Sequence, residues 1–347
     1  MNRRDFLIGA AALPFAVQPA SANTDEAVRL LQRKVDSGEL AGAVLQVRRG
    51  NQVSAHHFGI AKPDSVFYLA SLTKPMTATA VMILVDRERV SLEDRVQKFV
   101  PEFSGGERER VLLRHLLTHT SGLPDMLPEN EELRKRHASL RDFVAGTCKT
   151  QLLFSPGTRV SYQSMGILLA SEIVERVSNR SFPDFLRDEV FRPLEMRDSS
   201  LGLGGRKLEE TMQLQHDAPT DWAQNSSYWR NLGAPWGGVH GTAADVSRFT
   251  NYFLHPDASV LKPATAAAML ANQTQGLNRP WGIGWAMGSG FGNRSSARTC
   301  GHSGSSGTLM WLDPEKDLSC VLLTTLPAAF SRKTLLDPVS DLVSEAA

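Results

Sequence analysis

A serine and a lysine one helical turn apart are the residues of this sequence best suited to covalent chemistry. Ser71 and Lys74 lie between an apolar run, residues 66–70, and a helical pattern at 76–84. Positions three apart share one face of a helix, so the Lys74 amine can reach the Ser71 hydroxyl. A serine hydroxyl is a weak nucleophile without such a partner, and the N–H groups at a helix start favour negative charge. The pair indicates a nucleophilic serine with a cationic neighbour.

The spacing by itself does not distinguish a nucleophile from a helix cap. An N-cap serine beside a solvated lysine would show the same pattern. Ser259 and Lys262 repeat the spacing, but Pro263 follows at once, so we interpret that segment as a loop and a helix start. Further segments are needed to assign the chemistry.

Two later segments supply polar residues that could assist Ser71. Tyr162 follows a turn at residues 156–157 and begins an apolar helical pattern that extends to residue 177. His302 lies in a stretch of small residues, 300–307, that leads into a hairpin. Taken singly, such a tyrosine or histidine is usually a packing residue. Only the ordered set of three segments favours a catalytic interpretation.

This ordered set resembles the serine β-lactamase and penicillin-binding superfamily, in particular the class C β-lactamase-related hydrolases, which include esterases and D-amino-acid peptidases. Those proteins carry S-x-x-K, then Y-x-N, then K-T-G or H-x-G, in this order and at comparable separations. Residues 116–124, 237–245 and 281–285 also match, so the resemblance spans roughly residues 25 to 345. It implies a β-lactamase/transpeptidase-like fold and serine-nucleophile chemistry, and it leaves the substrate open.

The resemblance also implies roles for the catalytic residues. Ser71 would attack a carbonyl, and water would then hydrolyse the acyl-enzyme. We expect the Lys74 charge to lower the pKa of Tyr162 toward a phenolate that takes the serine proton, although either residue could be the base. The backbone N–H groups of Ser71 and Ser305 would form the oxyanion hole. His302 would supply a hydrogen bond or a pH-dependent charge.

Four further residues are expected to contact the substrate. Gly304 would let the substrate pass close to its strand, and Ser303 lies beside it. Trp236 belongs to an aromatic group, with Trp222, Tyr228 and Trp229, that could line an acyl pocket or simply pack. Ser164 stands where relatives that cleave β-lactams usually carry asparagine, and a hydroxyl cannot offer the donor–acceptor pair of an amide. The sequence therefore favours ester hydrolysis over β-lactam cleavage.

The secondary-structure pattern predicts an α+β protein, an α/β sandwich with an antiparallel sheet flanked by helices and an inserted, mostly helical domain. Strand patterns occur near both ends of the chain, at 42–48, 52–60, 281–287, 298–302, 308–312 and 318–324. Helical patterns fill the middle, at 111–120, 131–148, 163–177 and 182–191, and His119 is expected to end a helix before a Gly122 C-cap. We predict one domain from residues 24–95 and 237–347, another from 96–236, and an active site in the cleft between them.

The N-terminus carries the signature of an export signal. Arg3 and Arg4 precede a short apolar stretch, and Ala20-Ser21-Ala22 offers a cleavage site, so that residues 1–22 resemble a twin-arginine signal peptide. The apolar stretch is too short to span a membrane. We expect a periplasmic or secreted protein, cleaved near Ala22, with no stable membrane anchor.

Composition limits the remaining possibilities. The chain has 347 residues, 41% of them hydrophobic, and a formal net charge of +1, with no basic block that would suggest nucleic acid. Its three cysteines are odd in number and widely spaced, and we expect them to be buried thiols rather than disulfides. No metal-binding pattern occurs among the histidines. We expect a monomer that acts on a small ester or amide without a cofactor or metal.

Three functions remain open at this point. The first is an esterase-like serine hydrolase that acts on esters or small amides. The second is a β-lactamase or a D-alanyl or D-amino-acid peptidase. The third is a non-catalytic penicillin-binding or cell-wall-sensing module, against which the intact set Ser71, Lys74, Tyr162 and His302 argues.

Overall fold

The computed structural model describes residues 22–288 and 291–345. Its strands are β1 (Gly42–Arg49), β2 (Gln52–Gly59), β3 (Phe67–Tyr68), β4 (Ser200–Leu201), β5 (Val239–Gly241), β6 (Ala286–Met287), β7 (Cys300–Gly304), β8 (Thr308–Asp313) and β9 (Leu318–Thr324). Its α-helices are α1 (Ala22–Asp36), α2 (Thr73–Asp86), α3 (Leu113–Leu117), α4 (Asn130–Lys135), α5 (Leu140–Lys149), α6 (Met165–Ser178), α7 (Phe182–Leu186), α8 (Ser227–Leu232), α9 (Ala243–Leu254), α10 (Pro263–Met269), α11 (Ala328–Ser331) and α12 (Asp337–Glu345). Apart from Ala22, the expected signal peptide lies outside the described residues.

The main sheet is assembled from both ends of the chain, as the strand patterns predicted. In the described chain it has six antiparallel strands in the order β2-β1-β9-β8-β7-β6. Helices α1 and α12 pack together on one face and α9 packs on the other. Alternate residues of β9 accordingly face different cores: Cys320 and Leu322 face one, and Val321 and Leu323 the other. The predicted α+β class, a sheet flanked by helices, is confirmed.

The helical middle of the chain packs around α2, which carries apolar residues on all sides. Residues 73–84 of this helix are all buried, as expected for a helix without a polar face. It packs against α6 and α7. A small sheet, in the order β3-β5-β4, joins the segment before α2 to the segment before α9. The division of the chain into two domains at about residues 95 and 237 remains our proposal.

Two predicted elements differ from the structure. The helix predicted over 131–148 is two helices, α4 and α5, because His137 adopts a left-handed conformation (φ 53°). A capping pair, Ser139 and Asp142, then starts α5, with the Asp142 carboxylate accepting the Ser139 N–H at 2.8 Å. The strand predicted over 281–287 is extended only at β6, since Gly284 (φ 78°) turns the chain before it.

Two other expectations concern the chain's environment. The cysteines Cys148, Cys300 and Cys320 are free thiols and are buried, as predicted. Within residues 22–288 and 291–345, no helix combines the length and the apolar composition needed to cross a bilayer.

Candidate active site

Ser71 lies at the start of α2, where the backbone is held in a sharp turn. The preceding residue, Ala70, has a left-handed conformation (φ 46°), and residues 70–72 form a 3-10 turn that leads into the helix. A non-glycine residue in this conformation is strained, and the turn presents the Ser71 side chain to a cleft. Lys74 follows on the same side of the helix. Its Nζ lies 3.0 Å from Ser71 Oγ, as the spacing predicted.

Lys74 is a buried amine with no ion pair to any described carboxylate. Its side chain is fully buried, and its Nζ donates a hydrogen bond of 2.8 Å to the carbonyl oxygen of Trp236. Burial lowers the pKa of Lys74 to about 7, and the nearby charge of Asp125 opposes this shift. A large fraction of the amine is therefore neutral at pH 7. A neutral amine 3.0 Å from Ser71 Oγ can accept the serine proton.

Tyr162 approaches Ser71 from the segment before α6. Its side chain interacts with that of Ser71, and Lys74 Nζ lies 4.8 Å from the centre of its ring. The expectation that the Lys74 charge lowers the pKa of Tyr162 is wrong, because burial raises that pKa well above its usual range. Tyr162 is a phenol at neutral pH, so it can relay a proton but does not start as a base. Between the two candidates, the site favours Lys74 as the general base.

The rate of ester hydrolysis should rise with pH through an ionisation near 7. Below this pH Lys74 is protonated and cannot accept the serine proton; above it the neutral amine predominates. The pH profile of kcat/KM with a neutral ester measures this acid limb. We expect H302Q to keep the limb in place, since His302 is already neutral in this range. A limb that disappears in H302Q would assign the ionisation to the histidine instead.

His302 is an uncharged imidazole at the edge of the site. Its Nδ1 lies 2.9 Å from the carbonyl oxygen of Ser303, and its ring centre is 5.8 Å from that of Tyr162. Burial and, next, the Lys74 charge lower the pKa of His302 to about 3. Of the two roles expected for His302, a hydrogen bond fits this environment and a charge near neutral pH does not.

His119, which was expected only to end a helix, is also a neighbour of Tyr162. It adopts a left-handed conformation (φ 58°) after α3, so the predicted C-cap at Gly122 is misplaced. Its Nδ1 accepts the Gln163 N–H at 3.1 Å, its carbonyl accepts the Ser161 N–H at 2.8 Å, and its ring centre lies 4.7 Å from that of Tyr162. His119 thus fixes the chain on both sides of Tyr162. A histidine after a short helix carries no sequence signal for this role.

Ser164 is held by a carboxylate that was also not anticipated. Its Oγ donates a hydrogen bond of 2.6 Å to Asp125 Oδ1, and its N–H donates to the Asp125 carbonyl at 3.2 Å. Both side chains line the cleft. Because its hydroxyl proton is committed to Asp125, Ser164 can offer an incoming substrate only acceptor lone pairs.

Ser303 and Gly304 form the strand edge of the cleft, on β7. Arg332, which the sequence interpretation did not select, donates a 2.8 Å hydrogen bond to Ser303 Oγ. A Cβ on Gly304 would lie 2.6 Å from the Leu69 carbonyl oxygen and would also collide with Thr308 Oγ1. A side chain at position 304 is thus excluded by neighbouring protein atoms. The prediction was that it would obstruct the substrate. Gly304 lets β7 dock on the turn that carries Ser71.

The substitution G304A should therefore weaken both fold and catalysis. Relieving the contact with Leu69 requires β7 to move away from Ser71, and overpacking of this kind costs about 1–3 kcal/mol. Thermal unfolding and kcat/KM for a neutral ester measure the two effects. Gly237 is a matched control, because its Cβ would meet only ordinary contacts at 3.6–3.8 Å. Equal stability of G304A and G237A would contradict the steric argument.

The cleft has a volume of about 480 Å³, which is typical of a small-ligand site. It is lined by the predicted residues Ser71, Tyr162, Ser164, Trp236, His302, Ser303, Gly304 and Ser305, with Lys74 buried beneath Ser71. Trp229 also lines it, whereas Tyr228 stacks on His137 at 4.5 Å between ring centres. The aromatic group thus divides between the cleft and packing.

Comparisons with known proteins show which proteins this chain is similar to. A family model described as Beta-lactamase matches residues 27–341. Penicillin-binding protein 4 of Amycolatopsis lactamdurans is 31% identical over 287 residues, which is 78% of this chain and 72% of that protein. Three other curated relatives are matched over only 37% to 48% of their own length.

Two solved structures have similar folds over nearly the whole chain. EstCE1, a hydrolase with promiscuous acyltransferase activity, has a TM-score of 0.78 at 21% identity, covering 93% of this chain and 98% of that chain. The D-amino acid amidase from Ochrobactrum anthropi SV3, complexed with D-phenylalanine, has a TM-score of 0.78 at 22% identity, covering 94% and 99%. At these identities the similarity establishes a shared fold.

Proposed function

The chain belongs to the Beta-lactamase family of serine hydrolases, and we propose that it cleaves esters or small amides through an acyl-enzyme on Ser71. The observation that carries this proposal is the buried Lys74 amine, which has a pKa of about 7 and lies 3.0 Å from Ser71 Oγ. A nucleophile and a base within hydrogen-bond distance are what acyl transfer requires.

In the proposed mechanism, Lys74 takes the proton of Ser71 as Oγ bonds to the substrate carbonyl carbon. The N–H groups of Ser71 and Ser305 stabilise the oxyanion. When the bond to the leaving group breaks, the proton passes from Lys74 to that group, with the Tyr162 phenol as a relay. Water then attacks the acyl carbon while Lys74 takes one of its protons. As the bond between Oγ and the acyl group breaks, Lys74 returns that proton to Ser71 Oγ and the acid departs.

The environment of Ser164 supports esters over β-lactams. An amide side chain of a β-lactam needs both a donor and an acceptor from the protein, and Ser164 donates its proton to Asp125 at 2.6 Å. A simple ester needs only the nucleophile, the base and the oxyanion hole. The D-amino acid amidase among the structural neighbours keeps small amides within the proposal.

Parallel assays with p-nitrophenyl butyrate and nitrocefin test this assignment. We expect turnover of the ester and little or none of nitrocefin. Efficient turnover of nitrocefin would instead identify a β-lactamase or a D-amino-acid peptidase. Turnover of neither substrate, combined with stable labelling by penicillin, would indicate a non-catalytic penicillin-binding module.

We also propose that the protein acts outside the cytoplasm as a monomer. Export is supported by the sequence of residues 1–22, with its paired arginines and its small-residue cleavage site. The N-terminal sequence and native mass of protein recovered from the periplasm test both points. An uncleaved N-terminus in the cytoplasmic fraction would contradict the export proposal.

A further inference from the structure

The charges that line the catalytic cleft are mostly positive. Three arginines line it, Arg134, Arg279 and Arg332, against one carboxylate among the described lining residues, Asp125. Arg332 is paired with Asp337 at 2.9 Å, and Asp125 is exposed and accepts the Ser164 hydroxyl. An excess of cations in a cleft with low-dielectric walls favours an anionic ligand.

Arg134 is the arginine whose setting most needs an explanation. It is half-buried, and its guanidinium carbon lies 3.9 Å from the ring centre of Trp229 and 5.3 Å from that of Trp222. Its Nε and one Nη donate to the Trp222 carbonyl, at 3.2 and 2.7 Å. It has no ion pair with any carboxylate in residues 22–288 or 291–345. Of five N–H donors, this leaves three without a protein acceptor there.

The position of Arg134 assigns it to the acyl side of the cleft. Tyr162, the phenol that relays the leaving-group proton, packs near Trp281. The guanidinium carbon of Arg279 lies 4.8 Å from the ring centre of Trp281. That wall therefore faces the leaving group. Arg134 stacks on Trp229, whose indole N–H donates to Tyr68 Oη at 2.8 Å. These three residues form a second lining wall, adjoining the turn that carries Ser71.

We propose that Arg134 binds a carboxylate at the far end of the acyl group, so that the preferred substrates are monoesters or monoamides of dicarboxylic acids. This inference rests on the proposed function. The planar guanidinium matches a carboxylate in a bidentate geometry. Tyr68 and Trp229, which line the cleft together with Arg134, offer apolar contacts to the methylene chain between the carboxylate and the reacting carbonyl.

A pair of substrates of equal length tests the proposal. Mono-p-nitrophenyl adipate carries the carboxylate, and p-nitrophenyl adipamate replaces it with a neutral amide. After subtraction of spontaneous hydrolysis, we expect kcat/KM to be about 10- to 100-fold higher for the adipate, mainly through KM, as for a charge-assisted hydrogen bond. Free adipate, but not adipamide, should inhibit p-nitrophenyl butyrate hydrolysis competitively.

Variants of the two stacked arginines locate the recognition. R134M should bring the ratio of kcat/KM for the adipate to kcat/KM for the adipamate close to one. R134K, which keeps the charge but loses the bidentate geometry, should give an intermediate ratio. R279M is the matched control: it removes an arginine stacked on a tryptophan of the other wall and should keep the ratio.

Three results would overturn the proposal: no preference in the wild-type protein, a preference that survives in R134M, or one that R279M abolishes. The inhibition experiment uses the wild-type protein and does not depend on how well a variant folds. Turnover of p-nitrophenyl butyrate reports separately on the proposed function. Failure of the wild-type protein with that ester would refute the hydrolase assignment, whereas a ratio of one with active enzyme refutes only the Arg134 site.

Discussion

Replacing Ser71 with alanine is expected to lower ester turnover by about 10,000-fold or more, as for other enzymes that lose their covalent nucleophile. Ser71 Oγ contacts both Lys74 Nζ, at 3.0 Å, and the side chain of Tyr162. Without the hydroxyl no acyl-enzyme can form. Steady-state assays with p-nitrophenyl butyrate measure the loss of turnover. Labelling of the wild-type protein with a fluorophosphonate, followed by peptide mass mapping, identifies the residue that forms the covalent adduct.

The chain contains its own control for this substitution. Ser259 precedes Lys262 with the same spacing, but it is exposed, and the helix after it begins only at Pro263. We expect S259A to keep wild-type turnover and labelling. We expect the free energy of unfolding of S71A to lie within about 1 kcal/mol of the wild-type value, since the substitution removes only one hydroxyl. A fully active S71A protein, or one still labelled stoichiometrically, would exclude Ser71 as the nucleophile.

Replacing Lys74 with methionine should abolish activity while it stabilises the fold. The proton acceptor is lost, which should cost at least the 100- to 10,000-fold typical of general base catalysis. Stability should rise because the wild-type fold buries an amine that is charged in the unfolded chain. Methionine fills the same space without an ionisable group. Removal of the buried ionisable amine should raise the free energy of unfolding by on the order of a few kcal/mol.

The stabilisation of K74M should depend on pH in a defined direction. Because the folded pKa of Lys74, about 7, lies below its ordinary value of 10.5, the unfolded chain binds the proton more tightly. The wild-type protein therefore gains stability as the pH rises between these values, and the advantage of K74M shrinks over the same range. Thermal unfolding across this range tests the prediction.

A surface lysine provides the control for K74M. Lys98 is exposed and pairs with Asp94 at 2.8 Å, so K98M should change stability by no more than about 0.5 kcal/mol. If K74M were less stable than the wild-type protein below pH 7, the protonated amine would be favourably paired in the fold, and burial would not lower its pKa. The assignment of Lys74 as the base would then be wrong.

Local patterns were sufficient to predict which segments meet at the catalytic cleft. Ser71, Tyr162 and His302 lie far apart in the sequence, yet each sits in a short motif whose order matched a known family. The sheet built from both ends also followed from the strand patterns near both ends of the chain. The break at His137 was not predicted, because one left-handed residue interrupts an otherwise continuous helical pattern.

The electrostatic state of the site could not be inferred from the sequence. The pKa of Lys74 depends on how completely α2 is buried, and the partner of its Nζ is the backbone carbonyl of Trp236, 162 residues away. Asp125 and Arg134 acquire their roles only through contacts with Ser164 and Trp229. Such long-range contacts leave no local pattern in the chain, and for this reason Tyr162 was wrongly expected to be a phenolate.

The pairing of β1 with β9 has a consequence for biosynthesis. Arg49 of β1 pairs with Leu318 of β9, so roughly 270 more residues must be synthesised before β9 can cover the open β1 edge of the first hairpin. At about ten residues per second, this exposes the edge on the ribosome for roughly half a minute. An uncovered strand edge is a template for aggregation. Nascent chains arrested before Leu318 should therefore be recovered as insoluble material rather than as a partly active fragment.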